Sequence, residues 1–369
     1  MHTLRRLPPA GIALALVSAL AACAHKPPAD FAPDPGLVAR IKRIQIRAPH
    51  YACPGQTFPV YYDAILDDGT KIQFDWHYDS KHPPRLHVSF LDRSSDEART
   101  VEDGGWTVSA DPIQTVRTGY VLTATLRANP ALADTARVAP EYSCLPHAFR
   151  FAGATGRRGM AGGDGPAVSV RVAIVRSPFY DKLLVAGITV ENEPPVYILT
   201  DASTIPPANW LTLDSRGGAG GDGRPGLAGS DGVAGQDGCP GSAGGNGGNG
   251  GAGGSGAPGG RGGQVTILAP AELPYLAGIV AARSPGGSGG AGGKGGPGGK
   301  GGAGGKGTAS PNGGRCADGP SGQNGADGAA GRDGPDGGWG PQPQILTVPL
   351  RDLFGPGAPP ELLALVRGR

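Results

Sequence analysis

Lys294, Lys300 and Lys306 recur six residues apart in GGKGGPGGKGGAGGKGT, residues 292–308. A lysine in a glycine loop is a phosphate-binding device when the loop reads Gly-x-x-x-x-Gly-Lys followed directly by Ser or Thr. Here Gly307 stands between Lys306 and Thr308, so the hydroxyl is one residue out of place. Matches to Gly-x-Gly-x-x-Gly are automatic in this composition and carry no weight. His77, His82 and His87 lie five apart in DWHYDSKHPPRLHV; two of them could ligate a metal, and loop or strand-face positions explain the same spacing. There is no Gly-x-Ser-x-Gly, no His-Glu-x-x-His and no nucleophile–base pair in sequence. The expectation is a protein that is not an enzyme, with no catalytic residue, no metal and no cofactor.

The lysines are placed by the glycines around them. Gly is 68 of 369 residues, more than twice ordinary usage. It stands at 153, 156, 159, 162 and 165, then at every third position from Gly217 to Gly262, and again from Gly286 to Gly340 with misses only at Ser310 and Cys316. A flexible linker needs no such phase. A three-residue period matches the polyproline II helix, on which every third residue shares a face. Glycine on that face implies close approach to another backbone. Collagen does this with three chains and needs Gly only at the axis. A bundle of polyglycine II helices from one chain needs two bare faces, hence Gly-Gly-x, and residues 244–255 and 286–306 read that way. A second Gly brings collagen nothing and adds unfolded-state entropy. The intrachain bundle, and so a monomer, is expected over a trimer. Lys294, Lys300 and Lys306 then share one face; so do Asp222, Asp231 and Asp237, and so do Asp327 and Asp333. Acidic, basic and acidic segments would neutralise one another where they pack, or simply be solvated.

The flanking regions carry the period-2 alternation of half-buried strands. In residues 41–47, IKRIQIR, Ile44 and Ile46 alternate with polar neighbours while Ile41 falls out of phase. Phe58 to Leu66 follows, closed by the turn Asp67-Asp68-Gly69. Leu86 to Leu91, Trp106 to Ala110 and Tyr120 to Leu126 complete a β-sandwich over 39–150. Beyond it, Val168 to Ile174, Leu183 to Val190, Val196 to Leu199 and Trp210 to Leu213 are strands, residues 264–283 hold two strands around a Pro-containing turn, and 345–350 is a last strand. Pro359-Pro360-Glu361 opens a short helix carrying Leu362, Leu363, Leu365 and Val366 in the tail 355–369. The expected fold is mainly β: an N-terminal β-sandwich, then short strands and a glycine-rich polyglycine II helix bundle over 151–354. The formal net charge of +2 gives no global field for nucleic acid.

Several stretches resemble known families. Arg5 and Arg6 precede an apolar run, Ala10 to Ala22, too short to span as a helix, and Leu20-Ala21-Ala22-Cys23 resembles a bacterial lipobox. The resemblance implies a signal peptide over 1–22, a lipid on Cys23 and a membrane partner through that lipid; an ordinary secretory leader is the alternative. Ala24, rather than Asp, implies the outer membrane. Residues 23–38 then form a Pro-rich tether. With Cys23 lipidated, Cys53, Cys144, Cys239 and Cys316 remain, an even number that fits disulfides in an oxidising compartment. Of three connectivities, pairing within regions, Cys53 with Cys144 and Cys239 with Cys316, is the simplest. Tyr142-Ser143-Cys144 resembles the Tyr before the second Cys of immunoglobulin-like domains, although Cys53 lies 91 residues back and Trp76 is misplaced. Residues 217–225 resemble one calcium β-helix nonapeptide, but Arg224 occupies the apolar position. Residues 223–243 and 319–336 resemble bacterial collagen-like repeats, and 153–340 as a whole is similar to glycine-rich and collagen-like secreted bacterial proteins. These resemblances imply a lipid-anchored cell-envelope protein, structural or adhesive, meeting a surface, matrix or glycan ligand. A collagen-like trimeric stalk, or a carbohydrate-binding or hydrolytic sandwich, are the alternatives.

Overall fold

The computed structural model describes residues 27–101, 104–191, 193–203 and 209–367. The chain is mainly β, arranged in several sheets. A short helix, α1 (Pro35–Arg40), capped by the Asp34 carboxylate on the Gly36 amide, leads into β1 (Ile41–Arg47). Then follow β2 (Tyr51–Ala52), β3 (Thr57–Phe58), β4 (Tyr61–Leu66), β5 (Lys71–Gln73), β6 (Leu91–Ser94), β7 (Ala98–Thr100), β8 (Trp106–Val108), β9 (Tyr120–Leu126) and β10 (Ala133–Pro140). They form three sheets, β1-β4-β5, β2-β10-β9-β6 and β3-β8-β7, around one core. The out-of-phase Ile41 is explained by a register irregularity between Ile41 and Arg43, which turns Ile41 inward with Ile44 and Ile46. At the centre, the Trp106 indole N–H donates to the Tyr62 hydroxyl at 2.7 Å, satisfying both polar tips inside the core. Residues 86–91 are not one strand: Val88–Phe90 is a 3-10 turn that brings Phe90 into the core before β6 begins. The alternating run at β10 was not expected; Ala and Arg fill many of its positions and mask the pattern. Cys53–Cys144 ties the β2–β3 loop to the segment after β10.

The second half contains β11 (Ala148–Ala152), β12 (Val168–Val175), β13 (Leu183–Val190), β14 (Val196–Asp201), β15 (Leu211–Arg216), β16 (Val265–Pro270), β17 (Val280–Arg283) and β18 (Gln344–Val348), closed by α2 (Pro360–Arg367). The parallel sheet β11-β15-β17 faces the sheet β14-β13-β12-β16-β18. Val168, Val170 and Val172 point into the core between the two sheets. Ala173 and Val175 of the same strand point the other way. There they meet α2 residues Leu362, Leu365 and Val366, together with Ile113, Val116 and Tyr142 from the first half. The central sheet is thus covered on both faces, and β13, LLVAGITV, reads as a near-continuous apolar run for that reason.

The glycine segments continue these strands. β15 runs on into 217–238, which turns back through 244–262 into β16; β17 runs on into 286–307, which turns back through 319–340 into β18. The shorter excursion 153–165 connects β11 to β12 in the same way. Strands β11, β15 and β17 therefore all lead out, and β12, β16 and β18 all lead back. The parallel pairing Leu211↔Val280 of β15 and β17 persists as Gly217 N–H to Pro285 C=O, then Gly220 to Ser288, and on to Gly238 to Lys306. At the junction the side-chain core ends: Gly263 N–H donates to Ser215 C=O at 3.0 Å, and the two layers meet backbone to backbone.

The four long segments pack as a rhombus. The second (244–262) and third (286–307) segments touch each other and both outer segments; the first (217–238) and fourth (319–340) each touch the two inner ones. Glycine content follows the number of neighbours. The inner pair are Gly-Gly-x except at Gly256-Ala257-Pro258, with their glycines against other backbones: a Cβ on Gly295 would lie 1.8 Å from Gly328 O, and one on Gly296 would lie 1.9 Å from Leu227 O. The outer pair are largely Gly-x-y, because one inward face suffices. The stretches that resemble collagen are parts of these outer segments. The two misses in the repeat, Ser310 and Cys316, flank the turn joining the third and fourth segments, where Gly313 and Gly314 take positive φ. Cys239–Cys316 closes that tip, joining the end of the first segment to the start of the fourth.

Adjacent residues test this packing. A Cβ on Gly337 would lie 1.8 Å from Gly260 O, whereas one on Gly338 meets nothing within 4 Å. Gly337→Ala is expected to lower stability by about 2–4 kcal/mol in denaturant unfolding. Gly338→Ala should leave it unchanged or raise it by about 0.4–1 kcal/mol, through the unfolded chain alone. Equal effects would mean that the glycines are not packed in this register.

Candidate functional site

The candidate site is the surface of the glycine bundle, and its chemistry is set by which backbone amides the packing leaves over. In the third segment each second glycine donates to the second segment, as Gly296 does to Gly251 C=O. The remaining two amides of each triplet would be orphaned in the grooves beside the outer segments. Aspartate and asparagine side chains take eight of them. From the first segment, Asp222, Asp231 and Asp237 accept from the amides of Ala291, Lys300 and Lys306. From the fourth, Asp318, Asn324, Asp327, Asp333 and Asp336 accept from Gly307, Gly301, Gly298, Gly292 and Gly289. Asn246 and Asn249 of the second segment do the same for Gln323 and Ala326. All ten stand immediately before a triplet glycine.

The structure gives the charged rows a role beside the two considered, mutual pairing and solvation. The acidic rows do lie beside the lysine row, but they bond its backbone rather than its ammonium groups. Among the described residues the bundle's one lysine ion pair is Lys306 Nζ to Asp318 at 3.2 Å. Asp318 is held below the usual carboxylate range, first by the Gly307 amide and then by Lys306. The physical reason is reach. An Asp side chain spans the short gap to a neighbouring backbone, while a lysine ammonium extends past it into water. The signal was present in the sequence as Asp or Asn at the third triplet position, next to single-glycine triplets.

Two unlike faces result. One is the ridge of Lys294, Lys300 and Lys306, all exposed, flanked by the aspartates of both outer segments. The other is the exposed ridge of the second segment, Asn246, Asn249, Ala252, Ser255 and Pro258. Against that ridge lie second-position side chains of the first segment, with Val233 Cγ2 and Ser230 Oγ closest to where Cβ atoms on Gly245 and Gly248 would sit. On this second face Leu227 and Val233 are 82% and 78% exposed, and at its base the excursion 153–165 brings the Asp164 carboxylate onto the Arg261 amide.

The other sequence candidates fall elsewhere. Cys23 and the signal-peptide reading lie outside the described residues. His77 and His82 are exposed, but His87 is buried and committed: Nδ1 accepts from the Ser89 amide, leaving Nε2–H to donate to Trp76 C=O at 3.1 Å. The three histidines therefore do not converge, and among the described residues no group of three or more His, Cys, Asp or Glu side chains is placed to hold a metal ion. No helix of the described residues is long and apolar enough to cross a membrane. Comparison of the chain with protein families and with curated proteins finds no match to either.

Two measurements bear on this geometry. Asp231→Ala should speed hydrogen exchange at the Lys300 amide and cost about 1 kcal/mol or less, with Asp231→Asn nearly neutral, because the acceptor rather than the charge is what the amide needs. Unchanged exchange in the alanine variant would remove the assigned role. His87 is shifted below its ordinary value by burial. The folded state thus prefers the neutral ring, the unfolded chain binds the proton more readily, and stability should fall as pH drops below about 6.5. Thermal unfolding between pH 8 and 5 reads this, and His87→Gln should flatten the dependence.

Proposed function

We propose that this chain is a non-catalytic, lipid-anchored envelope protein whose glycine-rich region is a rigid two-faced plate for structural or adhesive contact. The bundle is read as polyglycine II packing within one monomer, displayed from a β scaffold. A lipid on Cys23 holds the protein to the outer membrane, and its contacts are with a surface, matrix or glycan rather than nucleic acid. One observation carries the reading. The chain spends its glycines on backbone-to-backbone packing, so the non-glycine side chains of the four segments, buried Ala257 apart, are left at the surface, sorted into an acidic-and-lysine face and a second face of asparagine, small and apolar residues. Such a region has little interior in which to build a buried reaction centre, and a broad, regular exterior. Leu227 and Val233, six residues apart on the second face, are fractionally the most exposed of the chain's large apolar side chains among the described residues, and contact with another surface there would remove them from water.

The test uses cells carrying the full chain, cells lacking it, and cells carrying Leu227→Asp with Val233→Asp, scored for retention on matrix-protein-coated and glycan-coated surfaces. Retention should require the chain and fall in the double variant. Equal retention in all three would reject an adhesive role; retention that depends on the chain but not on these residues would move the contact off this face. Incorporation of labelled fatty acid should be lost in Cys23→Ala, and light scattering of the soluble chain should give a monomer mass. A cooperative trimer would reject the intrachain bundle.

A further inference from the structure

The excursion 153–165 covers only the root of the second face. Its returning strand lies in the groove between the first and second segments, and its contacts repeat with the triplet. Gly218 and Gly221 donate their amides to the carbonyls of Gly163 and Met160 at 2.8 and 2.9 Å. Gly162 and Gly165 donate to the carbonyls of Pro258 and Arg261 at 3.0 and 2.8 Å, and Asp164 accepts from the Arg261 amide. The excursion turns at Gly159, with φ 74°, and the groove runs on past it. Beyond the turn the same backbone groups recur with no protein partner among the described residues: the amides of Leu227, Ser230 and Val233 on one wall, and both the amide and the carbonyl of Ala252, Asn249 and Asn246 on the other. Such unpaired main-chain rows are templates for another strand.

The groove also has width to spare. A Cβ on Gly260 would point into it, 1.9 Å from the Gly163 carbonyl. Gly251, Gly248 and Gly245 hold the same triplet position farther out, where a Cβ would meet nothing nearer than 3.0 Å. Ala257, in the same series, carries a Cβ and is buried. Packing within the chain therefore does not demand glycine at these three positions as it does at Gly295 or Gly296. Exposure agrees: Gly218, Gly221 and Gly260 beneath the excursion are buried, whereas Gly245, Gly248 and Gly251 are half-buried.

We propose that this groove binds a single extended, acidic glycine-triplet strand of another protein, laid end to end with the excursion. The inference rests on the contact role given to the second face and names its partner. In register with 160–165, each ligand glycine donates to a second-segment carbonyl, and the carbonyl of the next residue accepts from a first-segment amide. A carboxylate just before the glycine takes a second-segment amide, as Asp164 does. Main-chain bonds of this kind give affinity and side-chain contacts give specificity. The middle residue of the triplet faces Leu227 and Val233. Cβ atoms on Gly163 and on Gly218 would point at the same residue of the outgoing strand, Ala154, and Leu227 and Val233 continue the Gly218 series. Proline suits that position, since it needs no amide there and favours the extended form. Arg157, Arg158 and Arg224 stand exposed around the turn, and among the described residues none has an ion-pair partner, so an acidic strand is favoured. A collagen triple helix turns its glycines to its own axis and does not present them to a groove.

The test is titration of the full chain with a blocked peptide of four Gly-Pro-Asp triplets, beside a peptide of the same composition with the triplet phase broken. Sub-millimolar binding of the phased peptide alone is expected. With it bound, hydrogen exchange at the Leu227, Ser230 and Val233 amides should slow several-fold, while the Lys300 amide, already bonded to Asp231, should not change. Gly248→Ala with Gly251→Ala should weaken binding about tenfold by filling the groove, at an unfolding temperature near that of the parent. Should the double variant unfold early, the exchange pattern of the unaltered protein decides. No binding, equal binding of both peptides, unchanged exchange at the three amides, or full affinity in a folded double variant would each overturn the proposal. Cells retained through Leu227 and Val233 without peptide binding would overturn this partner alone and leave the contact role standing; peptide binding in the groove without retention would do the reverse.

Discussion

The structure depends on how closely two backbones can approach. Sheets that bury side chains between them stay about 10 Å apart, and helices of extended backbone can come much nearer only where no Cβ intervenes. This chain uses both regimes in succession. Between the sheets β11-β15-β17 and β14-β13-β12-β16-β18, valines, leucines and isoleucines fill the gap. At Ser215 and Gly263 the filling stops and the layers bond directly. The parallel strands lend their direction and register to the segments beyond, so the bundle needs no nucleus of its own. Register errors in it would be register errors in the sheets, where a one-residue slip exchanges core and solvent faces.

Close approach brings its own accounting problem. An extended segment with several neighbours offers amides in directions that its partners' carbonyls do not all reach. Glycine solves the steric part, and Asp and Asn solve the hydrogen-bonding part. The innermost segment shows both solutions. Gly296 donates to Gly251, Gly298 to Asp327, and Lys300, whose ammonium is in water, donates its amide to Asp231. An acidic row on such a bundle is thus first a set of backbone acceptors and only then a charged surface.

Much of this was legible in sequence. The three-residue phase, the doubled glycines of 244–255 and 286–306 and the strands β9 and β13 follow from spacing and alternation, while the cysteine pairing was one of three open connectivities and is fixed by the structure. What was not legible depended on neighbours. Single-glycine stretches such as 319–336 look like collagen because an outer helix of a small bundle and a collagen strand obey the same local rule. The role of Asp231 was hidden because its partner, the Lys300 amide, lies 69 residues away. Ile41 misled because a bulge corrects its phase, and residues 86–91 misled because a 3-10 turn can bury Val88 and Phe90 as well as a strand can.

The rhombus also constrains how such a gene can change. Adding one Gly-x-y triplet to a single segment would leave its neighbours short and throw every later glycine and aspartate out of step with its partner. Lengthening that preserves the pattern has to occur in all four segments together, as paired insertions on either side of the two tips, while the β scaffold stays untouched. The family of viable relatives should therefore differ in discrete steps of plate length, with substitutions concentrated at the x positions and the Cys239–Cys316 tip carried outward intact.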